Sequence, residues 1–148
     1  MTAPRPLGPP TLAPPGSADR DAAQRLLAEA GLPALDGPAD VFVVREGGAV
    51  VGTVALETYG DDGLLRSLAV HPAQRGTGLG RRLVDALEAH ARDRGLGSLA
   101  LLTTTAAPFF AALGYREVDR AEVPDAVRAA SEFCSVCPSS AACFLKTL

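Results

Sequence analysis

The stretch Arg75-Gly76-Thr77-Gly78-Leu79-Gly80 constrains this chain more than any other, because it separates two segments of different periodicity. Before it, Leu64 to Val70 reads as a strand with Leu64, Arg66, Leu68 and Val70 on one face by two-residue alternation. After it, Leu79 to Arg94 carries Leu79, Leu83, Ala86, Leu87 and His90 at spacings of three and four, a helical stripe that Gly95 stops. Leu99 to Thr103 then returns as a buried strand. A strand, crossover helix and strand in one sheet are normally parallel and right-handed, so this region reads as a β-α-β unit. Glycines in its turn let backbone N–H groups converge on an anion, and the helix N-terminus adds partial positive charge. A pyrophosphate fits there, with Arg75, Arg81 and Arg82 beside the amides.

Glycine-rich turns between strand and helix also bind dinucleotides and nucleoside triphosphates. This turn lacks the Gly-Lys-Ser/Thr ending of a triphosphate loop and does not open the chain. The next strand ends in Thr103-Thr104-Thr105, where a dinucleotide fold wants an acidic residue for the ribose. Upstream, Val41 to Arg45 and Ala49 to Tyr59 are strand-like runs joined by Gly47-Gly48, a hairpin signal. Gly60-Asp61-Asp62-Gly63 turns the chain into Leu64 to Val70 and completes an antiparallel meander. Ser17 is placed to cap a helix running to about Ala30, with Ala22, Leu26, Leu27 and Ala30 on its apolar side and Gly31 as its stop. Downstream come a short helix Pro108 to Leu113, a strand Tyr115 to Asp119, a helix Pro124 to Ser131 and a strand Ala142 to Leu148. The expected fold class is α/β (α+β): a mixed, mostly antiparallel sheet of six to seven strands with helices on both faces.

At 148 residues the chain fits one domain, expected over 17–148. Residues 1–16, rich in proline, are expected to form a tail or an edge strand near Leu12. A net charge of -3 and a pI near 5.3 give no global basic field, which argues against nucleic acid as a partner. No apolar run approaches the roughly 20 residues that span a bilayer, so no membrane is expected as a partner either. The N-terminus lacks the basic and apolar regions of a secretory signal, and the expected location is cytoplasmic. A monomer or a homodimer is expected.

From about Ala18 to Gly114 the chain resembles the GNAT superfamily of N-acetyltransferases, most specifically through LAVHPAQRGTGLG, which is similar to that family's Arg/Gln-x-x-Gly-x-Gly cofactor motif. The resemblance implies acetyl-CoA as co-substrate, its pantetheine arm lying between two splayed parallel strands, Leu64 to Val70 and Leu99 to Thr103. It implies cofactor contacts from Leu68, Ala69, Val70, Arg75, Gly76, Thr77, Gly78, Leu79, Gly80, Arg81, Thr103 and Phe109. The backbone of Leu68 and Val70 would hold the arm as an added strand would and help polarise the thioester carbonyl. TTTAAPFFAALGY resembles the family's second motif, with Thr103 at its Asn and Phe110 where many members carry a tyrosine that protonates the departing thiolate. Phenylalanine cannot serve as that acid. The C-terminal third resembles the arsenic-resistance N-acetyltransferases and, less closely, short N-acetylglutamate synthases. Both imply a glutamate-like amino acid, or an arsenical or phosphinic analogue, as the small-molecule amine that is acetylated.

Acetylating an amine requires its neutral form, and an α-amine with a pKa near ~8 gives up its proton readily, so strong base catalysis is dispensable. Some family members carry a glutamate base where Leu64 stands here. The nearest candidate is Glu57 on the preceding strand, whose plainer alternative is a solvated charge at a strand end. Arg66 lies among aliphatic neighbours and wants an anion: a carboxylate of the substrate, Asp62 or Glu57. The resemblance implies that Ser67 or Thr104 joins Arg66 in meeting the substrate's acidic groups. His71 and His90 read as surface or packing residues. Cys134, Cys137 and Cys143 form Cys-x-x-Cys-Pro-x4-Cys, three soft ligands for a thiophilic ion or three inert thiols, and a tetrahedral zinc would lack its fourth ligand. No metal is expected. The alternative from another class is a non-catalytic sensor of acyl-CoA or of a metalloid.

Overall fold

The computed structural model describes residues 7–35, 37–129 and 141–148. Along the chain run β1 (Thr11–Leu12), α1 (Ala18–Glu29), β2 (Asp40–Glu46), β3 (Ala49–Tyr59), β4 (Asp62–Val70), α2 (Leu79–Asp93), β5 (Ser98–Thr103), α3 (Ala107–Ala112), β6 (Arg116–Val118), α4 (Asp125–Arg128) and β7 (Ala142–Thr147). The strands form a seven-stranded sheet in the order β1-β2-β3-β4-β5-β7-β6. Its mixed character is the one expected. Two-residue connections between neighbours force β2, β3 and β4 to alternate in direction, β4 pairs parallel with β5, and β7 pairs antiparallel with both β5 and β6.

Two compact units are interleaved along the chain, Met1–Ala55 with Ser67–Leu87 and Leu56–Arg66 with Glu88–Leu148. In the first, Ser17 caps α1 by accepting from the Arg20 amide at 3.2 Å. α1 buries Ala23, Leu26 and Leu27, whereas Ala22 is half-buried and Ala30 is the exposed C-cap. Ala23 packs with Val41, Val43 and Ala55. A Cβ on Gly52, which has the opposite parity to Ala55 on β3, would meet Leu83 Cδ1 at 2.9 Å and Leu79 Cδ2 at 3.2 Å. The two helices of this unit therefore cover opposite faces of β3. Each fully buried leucine contributes about 1.5–3 kcal/mol, and Leu27, Leu79 and Leu83 are in that class. The edge strand near Leu12 is present, with Thr11 opposite Val43 and Leu12 opposite Phe42.

In the second unit the turn before β4 is shorter than the sequence implies. Gly60 and Asp61 alone make it, and Asp62 and Gly63 are already in the ladder opposite Ser98 and Leu99. Asp62 is held there by accepting from Ser98 Oγ at 2.6 Å. Leu64, Ala100, Val118, Val123, Val127, Cys143 and Leu145 form its core cluster. The strand expected over Tyr115 to Asp119 is confined to Arg116–Val118. The helix expected over Pro124 to Ser131 is present as Asp125–Arg128 with Ala129 as its C-cap, and Ala130 and Ser131 lie outside the described residues.

Candidate functional site

The glycine-rich turn takes the form its composition requires. His71 accepts from the Ala73 amide at 3.1 Å and opens a 3-10 turn over Pro72–Gln74. Gly76 and Gly78 follow at φ of 81° and 82°, a region that residues with a Cβ adopt only under strain. The Thr77 hydroxyl ties the loop to the Gln74 carbonyl at 2.6 Å. Across from it, the Gln74 side-chain Nε2 donates to Glu46 Oε2 at 2.7 Å. The Arg82 amide bonds to the Gly78 carbonyl at 3.1 Å, closing the first helical turn of α2. The amides of Leu79, Gly80 and Arg81 thus precede any helical acceptor and point off the N-terminus of a 15-residue helix. Arg75 and Arg81 are exposed beside them. Arg82 instead donates to the Gly8 carbonyl at 3.1 Å, which draws it to the proline-rich segment. This donor set fits a pyrophosphate: free-ended amides, two solvent-facing guanidinium groups and no side chain at the glycines.

Upstream of the turn, Ser67 has φ of 59° and is the one non-glycine residue at positive φ among the described residues. A left-handed residue inside a strand is the mark of a bulge, which breaks the two-residue alternation. The face shared by Leu64 and Arg66 therefore does not carry through to Leu68 and Val70 as the unbroken period implies. Ala69 packs on Leu26 and Leu27. The His71 amide donates to the Val51 carbonyl at 2.8 Å, toward β3. By alternation the backbone of Val70 points to the other edge of β4, and the registered pairing with β5 covers only Asp62 to Leu64.

Glu57 and Arg66 meet. Arg66 Nη1 donates to Glu57 Oε2 at 2.7 Å, and the side chains are only 2% and 10% exposed. Glu57 Oε1 accepts from the Tyr59 hydroxyl. Glu57 is thus no solvated strand-end charge. Of the three anions open to Arg66 from sequence, its own Glu57 is one it holds. Tyr59 was not foreseen as a member of this cluster, and its place two residues from Glu57 on β3 was the signal available.

The remaining candidates lie near the end of β5. Thr103 Oγ1 accepts from the Ala106 amide at 2.9 Å and the Thr105 amide at 3.4 Å, so its hydroxyl shapes the entry to α3. Thr104 is exposed. Phe109 stands edge-on to Phe110 with centroids 5.0 Å apart, and buried Phe110 is likewise edge-on to Tyr115 at 5.6 Å. A second polar cluster, unread in the sequence, joins this region. Buried Glu88 accepts from the Tyr115 hydroxyl at 2.8 Å and from Lys146 Nζ at 3.0 and 3.1 Å, while Lys146 also donates to the Leu113 carbonyl at 2.9 Å. Cys143 is packed in the core cluster, where burial pushes its thiol above the ordinary range against a smaller lowering by Arg120. Cys134 and Cys137 lie outside the described residues.

A family model described as "Acetyltransferase (GNAT) domain" matches residues 37–117. An uncharacterised N-acetyltransferase of Chlorobaculum tepidum is 33% identical over 105 residues, covering 70% of this chain and 65% of the relative. An amino-acid acetyltransferase of Pasteurella multocida is 28% identical over 88 residues, 58% of this chain and 20% of that protein. The chain therefore spans less than two thirds of either relative's length. Among solved structures, Rv2747 of Mycobacterium tuberculosis, in complex with CoA and NLQ, superposes with a TM-score of 0.73 at 25% identity, covering 94% of this chain and 99% of that one. With its mixed sheet and glycine turn ahead of α2, and with the family match spanning β2 to β6, the chain belongs to the GNAT acetyltransferase family.

Proposed function

We propose that this protein transfers the acetyl group of acetyl-CoA to the α-amine of a small, glutamate-like amino acid by direct attack, with no acyl-enzyme. The observation that carries the reading is the turn whose Leu79, Gly80 and Arg81 amides lack helical acceptors beside exposed Arg75 and Arg81. The amino-acid acetyltransferase relative and the CoA-bound neighbour support it. When bound, acetyl-CoA supplies the thioester that is attacked. The amides of Gly76, Gly78, Leu79, Gly80 and Arg81 hold its pyrophosphate, and the outward backbone of Leu68 and Val70, on either side of Ala69, receives the arm. Thr77, Thr103 and Phe109 complete the cofactor contacts. Arg66, Ser67 and Thr104 receive the acceptor's acidic groups, and Glu57 takes a proton from its ammonium. The resemblance of the C-terminal third extends the acceptors to glutamate-shaped arsenical and phosphinic compounds, as in arsenic resistance. The reading includes a cytoplasmic monomer or homodimer that needs no metal.

The test is thiol release from acetyl-CoA across a panel of acidic, neutral and basic amino acids with phosphinic and arsenical analogues. Turnover confined to the acidic and analogue classes is expected, and turnover with none of the panel overturns the reading. One observation favours a second reading. Phe110 places a buried ring where a hydroxyl would be needed as acid, as in a sensor that binds acyl-CoA without turning it over. Calorimetric binding of acetyl-CoA with no thiol release in the panel identifies that case.

A further inference from the structure

Three features coincide on β3 and β4. Arg66 is buried against Glu57 at 2.7 Å, the other oxygen of that carboxylate takes the Tyr59 hydroxyl, and the residue after Arg66 is the strained Ser67. A buried ion pair is poor evidence of a stabilising device, because hydrophobic residues of similar volume usually serve as well, whereas a buried guanidinium stripped of its anion is strongly destabilising. Backbone strain of the kind at Ser67 gathers at functional positions. The cluster borders the apolar core that contains Leu64 and against which Tyr59 packs, and in such surroundings a charge-assisted bond is strong and discriminates sharply between a ligand with an anion and one without.

We propose that Glu57 is a resident counter-ion for Arg66, and that the side-chain acidic group of the acceptor takes its place. This deepens the proposed function and rests on it. On exchange, the acceptor's anion receives the Nη1 donor, and the Glu57 carboxylate, still tethered by Tyr59, turns to the acceptor's ammonium. Two protons leave that nitrogen in the overall transfer. One ends on the sulfur as the C–S bond breaks and the C–N bond forms, and the other passes through Glu57 to solvent. An acceptor lacking an anion cannot displace Glu57, so selection for acidic acceptors comes from a competition inside the protein.

The competition is measurable without turnover. Glutarate carries the acceptor's anions but no amine, and glutaramide is its uncharged control. Glu57→Gln keeps the shape and a partner for Tyr59 while removing the competing charge, so glutarate is expected to bind at least tenfold more tightly than to the parent protein by calorimetry. Acetyl-CoA affinity is expected to stay the same. Glu57→Ala is expected to melt at lower temperature and to regain stability with glutarate but not with glutaramide. Glutarate affinity that is unchanged or weaker in Glu57→Gln, together with no selective thermal rescue of Glu57→Ala, overturns the exchange. If the parent protein acetylates acidic amino acids while these tests fail, only the exchange is wrong. Failure of the acceptor panel removes the functional reading itself.

Discussion

Arg66 has five donors and a fixed charge, and removing them changes two partners at once, Glu57 and any acidic acceptor. Arg66→Leu preserves part of the aliphatic packing. Losing a charge-assisted pair of this kind costs about 2–5 kcal/mol, on the order of a 30-fold or larger fall in kcat/KM for an acidic amino acid. Acetyl-CoA affinity is expected to be spared. A matching fall in acetyl-CoA affinity, read by calorimetry, would make Arg66 a structural residue. That Arg66 wants an anion was legible from its aliphatic setting on a strand, but the choice of anion was not, since Glu57 and Asp62 are both within reach along the chain. The pairing of Glu88 with Lys146 was illegible for another reason: 58 residues separate them, and only the insertion of β7 beside β5 brings the partner strand alongside.

α2 carries the cofactor expectation at its N-terminus, and its turn is the place to test it. Nothing lies within 4 Å of a Cβ built on Gly78, so the obstacle to substitution there is φ of 82°, not crowding. Gly78→Glu is expected to cost roughly 1–2 kcal/mol in stability through that conformation. It is expected to abolish acetyl-CoA binding by placing a carboxylate among the pyrophosphate amides. Unchanged affinity in a folded variant, read by calorimetric titration, removes the turn from the cofactor site. The helix itself was readable from Leu79, Leu83 and Leu87, but its buried stripe runs on through Val84, Glu88 and Ala91, with Ala86 and His90 only half-buried. Glu88 hid in that stripe because a charged residue does not count as apolar until its partners are known. The bulge at Ser67 left no trace in the sequence, since a serine between Arg66 and Leu68 fits an ordinary strand equally well.

On the scale of the whole molecule, stability depends on polar groups settled deep in the second unit. Lys146→Met removes the ammonium from Glu88, which is 6% exposed, and is expected to cost on the order of 3 kcal/mol in urea unfolding. A loss under 1 kcal/mol would show that the Tyr115 hydroxyl and Arg92, whose Nη2 lies 3.7 Å from Glu88 Oε1, suffice. Cys143 gives the pH dependence. Its thiol is raised above 9.0 in the fold by burial, so its contribution is fully present below pH 9 and is lost as pH rises toward the folded value, because the unfolded chain ionises first. Cys143→Ala is expected to flatten the decline in melting temperature above pH 9, and an identical alkaline profile would exclude the thiol as its source. The sheet order has a separate consequence for how the protein comes into being. β7 lies between β5 and β6 although it follows both in the chain, so during translation β5 presents a bare backbone edge and β6 has no neighbour until residues 142–147 leave the ribosome. An open edge is a template for strands of other chains. The β5 edge therefore stays open to other chains until β7 docks, and refolding yield is expected to fall as protein concentration rises.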